Sequence, residues 1–60
     1  MNIRKIRLEM FLTQKEFAEL LGVSISIIGK WERGINKPAL RTQRKLMQIC
    51  KANGVEVYND

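Results

Sequence analysis

Thr13-Gln14-Lys15-Glu16-Phe17-Ala18-Glu19-Leu20-Leu21-Gly22-Val23-Ser24, continued by Ile25-Ser26-Ile27-Ile28-Gly29-Lys30-Trp31-Glu32-Arg33-Gly34, reads as two helices joined by a very short turn. Thr13 and Glu16 have the spacing of a capping box, in which the hydroxyl accepts from the Glu16 amide and the carboxylate reaches back to the Thr13 amide. Phe17, Ala18 and Leu21 then share one face, and Gly22 follows as a residue free to take positive φ and end the helix. Ser24, a second N-cap candidate, stands only two residues later, so the next helix starts almost at once and the chain must turn sharply. That helix is predicted over residues 25–33, with Ile28 and Trp31 directed at Phe17 and Leu21 and Gly34 as its stop. Gly29 contradicts its surroundings, costing roughly 0.5–1 kcal/mol relative to Ala in a helix interior. Either something packs against its bare backbone or the exposed face must stay thin there.

Outward from this pair, Ile3, Ile6 and Met10 recur at helical spacing and predict a first helix over residues 2–10. Residues 35–38 form a loop, because Pro38 lacks an amide and pushes Lys37 out of the helical region; Pro38 also suits a helix start. A fourth helix is expected from Ala39 to Asn53, with Leu40, Leu46, Met47, Ile49 and Cys50 among basic residues and Asn53-Gly54 closing it. Residues 55–58 alternate like a strand with no partner in sight, so residues 55–60 are expected to form a frayed or loosely docked tail. The expected fold is all-α, with four to five helices and one domain over residues 1–54.

Sixty residues bury only about 60% of the surface that the unfolded chain exposes, which excludes a second domain and a deep substrate cavity. With one Cys and no His there is no disulfide framework and no zinc constellation, and Cys50 is expected to be a buried apolar residue. An unpaired thiol is what a reducing compartment permits, so the expected location is the cytoplasm. No apolar run approaches the roughly 20 residues that cross a bilayer, and Asn2, Arg4, Lys5 and Arg7 interrupt any leader-like core. No cofactor, small-molecule substrate or membrane contact is expected. The net charge of +5 is unevenly placed. Residues 1–24 hold four cations against three carboxylates, whereas residues 25–51 hold seven cations against Glu32 alone. On charge alone, a solvated basic surface and a polyanion footprint remain equally open.

Residues 13–33 meet the description of a helix-turn-helix, whose second helix enters the DNA major groove with its N-terminal residues toward the bases. The joint spacing of Gln14, Ala18, Gly22, the Trp31-Glu32 pair, Gly34 and Pro38 resembles the Cro and phage-repressor (Xre-like, lambda-repressor-like) helix-turn-helix domains, over residues 2 to about 54. The resemblance implies a DNA-binding transcriptional regulator, repressor-like and read out as a two-fold dimer that is weak off DNA. It places base reading on Ile25, Ser26 and Lys30. Lys30 suits guanine O6 and N7, Ser26 several base edges, and Ile25 a thymine methyl. It assigns the sugar-phosphate backbone to Gln14 with Lys15 beside it, to Ile27, to Asn36 and Lys37 in the loop, and to Arg41. Arg7 and Glu32 match positions of a partly buried ion pair that orients the recognition helix.

Three features depart from the family pattern: Phe11 stands where Gly commonly ends the first helix, Gln43 where an apolar residue is usual, and the reading positions are unusually apolar. Gly29 is expected to let a backbone phosphate approach closely. A second class of function uses the same fold as a protein-interaction module, an antitoxin or adapter docking through Phe11, Ile25, Ile27 and the segment 55–58. An enzyme is not expected, since paired carboxylates, His and a phosphate-binding glycine loop are all missing from the sequence.

Overall fold

The computed structural model describes residues 1–56 and contains, among them, four helices: α1 (Ile3–Glu9), α2 (Gln14–Leu21), α3 (Ile25–Glu32) and α4 (Leu40–Ala52). The expected all-α fold is what forms. Three of the helices start at a polar side chain that accepts from the first turn. Asn2 Oδ1 accepts from the Lys5 amide at 3.0 Å, and Ser24 Oγ from the Ile27 amide at 3.3 Å. Thr13 and Glu16 close both halves of the capping box at 3.1 and 2.9 Å. The fourth start falls one residue later than the expected Ala39: Ala39 is the N-cap of α4 and offers no side-chain bond, and Pro38 precedes it in the loop. Gln43 compensates, its Nε2 donating to the Pro38 carbonyl at 2.9 Å and fastening the loop to α4. That bond accounts for a polar residue where an apolar one is usual.

All four helices end on one pattern. A residue just past the last helical turn takes positive φ and donates back three residues, and its successor donates back five. Gly22, Gly34 and Gly54 serve α2, α3 and α4, and Phe11, with φ 58°, serves α1. The successors Leu12, Val23 and Val55 pack against the core, which ties the ends of α1, α2 and α4 to the body of the fold, whereas Ile35 after α3 stays exposed. Val55 also donates to the Cys50 carbonyl at 2.8 Å, so the chain is docked at the point where the tail begins. The remainder of the strand-like stretch, from residue 57 on, lies outside the described residues.

A left-handed backbone costs a non-glycine residue about 1–2 kcal/mol, and Phe11, 93% exposed, recovers little of that by packing. Phe11→Gly is therefore expected to stabilise the fold by about 1 kcal/mol. A urea melt should show a higher midpoint at an unchanged slope; a lower midpoint would mean that the ring contributes more than its exposure implies.

The core is built from Ile3 and Ile6 of α1, Phe17, Ala18 and Leu21 of α2, Ile28 of α3, and Leu46 and Cys50 of α4. Ala18 is 3% exposed, a small residue on the face α2 turns to the core, as the tight turn requires. Trp31 packs half-buried at the edge of this core, and the Cys50 thiol, pushed up by burial and then by the charge of Glu9, lies within it. Lys45 Nζ reaches the Leu21 carbonyl at 3.5 Å, a cation at the C-terminal end of α2. α3 rests mainly on α2 and secondarily on α1, which leaves its opposite face to solvent.

Candidate nucleic-acid interface

The orientation of α3 is fixed by its last residue. Glu32 Oε2 accepts from Arg7 Nε at 2.7 Å, and Glu32 Oε1 accepts from Arg7 Nη2 at 3.2 Å and from Gln14 Nε2 at 3.3 Å. Arg7 has a further donor, Nη1, on the Leu12 carbonyl at 2.9 Å. One carboxylate thus joins α1, the first residue of α2 and the end of α3. The Arg7 and Glu32 side chains are 12% and 7% exposed, so the pair is largely withdrawn from water. The bidentate fork fixes angle as well as distance, which a Lys in place of Arg7 would not do.

Burial pushes the Glu32 carboxyl up; the hydrogen bonds from Arg7 and Gln14 and the charges of Arg7 and Arg4 outweigh it and hold it below its ordinary value of 4.5. The hydrogen bond to Glu32 raises the Arg7 guanidinium further. Glu16 is also held low, by the backbone and then the side-chain hydrogen bond of Thr13. With folded values depressed, both carboxyls stabilise the fold fully above pH 4.5, and the contribution is lost as pH falls through the folded values. Thermal melts are expected to show a falling Tm below about pH 4, and a Glu32→Gln variant a shallower fall. An identical acid profile in that variant would remove Glu32 from the account.

Beside this junction, α1 and α3 enclose an open cleft of about 600 Å³. Ile25, Ser26 and Lys30, expected to read bases, all line it, and Gln14 closes one side. Ile25 is 50% exposed, and Ser26 and Lys30 are exposed; none of the three makes a side-chain bond among the described residues. The other expected contacts lie elsewhere. Lys15 is exposed on the first turn of α2, Ile27 is half-buried on α3, Asn36 and Lys37 are exposed in the loop after α3, and Arg41 is exposed on the first turn of α4. The structure thus gathers Gln14, Ile25, Ser26 and Lys30 with the Arg7–Glu32 pair, and leaves Lys15, Ile27, Asn36, Lys37 and Arg41 outside that cleft.

Two residues the sequence reading passed over, Arg4 and Arg33, also line it. Their signal was spacing: Arg4 precedes Arg7 by three, and Arg33 extends the row Ser26, Gly29, Lys30 by one more turn. Gly29 meets nothing in the free protein, since a Cβ built on it finds no atom within 4 Å. Of the two reasons its presence suggested, internal packing is excluded and an exposed face kept thin remains. No group of His, Cys, Asp or Glu among the described residues can hold a metal ion, and no helix there is long and apolar enough to cross a membrane.

Neither curated proteins nor solved structures give a significant match to the chain. A family model described as helix-turn-helix matches residues 3–57. The match takes in the ion pair, the cleft and the two helices that frame the turn, and so the chain belongs to the Xre, Cro and lambda-repressor-like helix-turn-helix family of DNA-binding regulators.

Proposed function

We propose that the chain is a sequence-specific regulator of transcription, repressor-like in action, that inserts α3 into the major groove of double-stranded DNA. The observation that carries this reading is the solvent face of α3. It presents Ile25, Ser26 and Lys30 together on a cleft of positive charge, while Glu32, Arg7 and Gln14 lock the helix at one angle. Lys30 donates to guanine O6 and N7, Ser26 to a neighbouring base edge, and Ile25 packs on a thymine methyl. Gln14, Lys15, Ile27, Asn36, Lys37 and Arg41 take the sugar-phosphate backbone and set register without reading sequence. Two copies on a two-fold site, associating weakly off DNA, supply the length of contact that one small domain lacks. The setting is the cytoplasm, at the nucleoid.

The test is a fluorescence-anisotropy titration on duplex DNA at two salt concentrations. Affinity should fall steeply with salt, and Lys37→Ala should weaken binding to every duplex and reduce the slope by about one. Lys37 is exposed in a loop, so its loss leaves the melting temperature alone. A slope unchanged by Lys37→Ala would take the loop out of the interface.

A further inference from the structure

The cleft between α1 and α3 holds more positive charge than base reading uses. Arg4, Arg7, Lys30 and Arg33 line it against Glu32 alone. Glu32 is already committed, since both its oxygens accept from Arg7 and one also from Gln14. Arg4 adds an attractive charge to Glu32 without bonding it, and Arg33 makes no ion pair or side-chain hydrogen bond among the described residues. Two guanidinium groups, each with five donors, therefore line an open concavity whose one large apolar lining residue is Ile25. Such a lining suits an oxyanion and offers little to an apolar ligand.

Gly29 sits in the same row, four residues before Arg33 and three after Ser26. It lowers helix stability, no neighbour requires it, and its missing side chain leaves open space on the wall of the cleft. A residue that costs the free protein and relieves no contact within it is accounted for by what enters from outside.

We infer that this cleft seats the phosphodiester backbone of one DNA strand, clamped by Arg4 from α1 and Arg33 from the end of α3, with Gly29 kept bare to let the strand approach. The inference rests on the DNA-binding reading and deepens it: α1 becomes part of the interface, and the row Ser26, Gly29, Lys30 and Arg33 divides into base readers and a backbone clamp. A glycine then trades folding stability against close contact.

Four variants test it: Arg4→Ala, Arg33→Ala, Gly29→Ala and Gly29→Leu, each measured by thermal melting and by anisotropy on duplex at two salt concentrations. Arg4→Ala and Arg33→Ala should each reduce the slope of log affinity against log salt by about one, and together by about two, with base preference unchanged. Gly29→Ala should raise Tm by a few degrees yet weaken binding several-fold, and Gly29→Leu should fold as well as the parent and bind at least tenfold more weakly. Opposite signs in melting and binding are the signature, since a merely damaged fold lowers both. Parental slopes in both arginine variants, or parental affinity in Gly29→Leu, would overturn the inference while leaving the DNA-binding reading intact. Absence of salt-dependent binding by the parent chain would instead remove the reading on which it rests.

Discussion

Glu32→Ala should cost the fold about 3 kcal/mol or more, a large share of the stability available to a small domain. The reason is asymmetric. A carboxylate 7% exposed and a guanidinium 12% exposed have both given up water, and their mutual attraction roughly repays the desolvation. Removing Glu32 leaves the Arg7 charge in place without its partner, and Gln14 loses its acceptor as well. The double substitution Arg7→Met with Glu32→Leu removes both charges and should recover most of the loss, so the two changes are strongly non-additive. Guanidinium melts of the two single variants and the double variant provide the cycle. A Glu32→Ala cost below about 1 kcal/mol would place the pair among surface ion pairs and deny it a role in holding α3. DNA affinity adds a second readout, because the double variant, though stable, has lost the fork that fixes the helix angle and should bind weakly.

Lys30→Ala should lower affinity for the preferred site by about 1–3 kcal/mol and relax discrimination at a single base pair. Lys30 is exposed and its ammonium has no bond among the described residues, so the fold should melt as before. Its effect differs in kind from that of Lys37→Ala, which lowers all affinities alike. Comparing each variant on a matched site and on its single-base substitutions separates the two. Equal losses on all sequences would make Lys30 a backbone contact. With Ile25 supplying only methyl contact, Lys30 and Ser26 carry most of the hydrogen-bond readout, so the recognised sequence should be short and dominated by one guanine per half-site.

The helices were legible because their signals are local. Thr13 with Glu16, and Ser24, announce starts through bonds within one turn, and Gly22, Gly34 and Gly54 announce ends through a backbone region that other residues avoid. The same rule hid the geometry at Phe11, where a bulky residue occupies that region and only the structure shows it. The start of α4 lies one residue beyond the expected Ala39, because Pro38 is compatible with several positions near a helix start and the Gln43 bond that fastens the loop there spans five residues. At the candidate interface, Ile25, Ser26 and Lys30 were singled out by the family resemblance, and the structure places all three on one cleft. Spacing puts Arg4 in a row with Arg7 and Arg33 in a row with Lys30, but that the two rows line one cleft depends on how α1 crosses α3, and no spacing within either helix encodes that crossing. The cost of Gly29 was readable from sequence, whereas the emptiness around it was not.

Whether α3 reads DNA sequence from a two-fold site is decided by selecting duplexes from a random pool with the unmodified chain and titrating the enriched sequences at two salt concentrations. The expected result is enrichment of a two-fold site with half-sites about one helical turn apart, bound more tightly than the starting pool at both salts. Salt-dependent binding with no enriched sequence, or no binding at low salt, would contradict it.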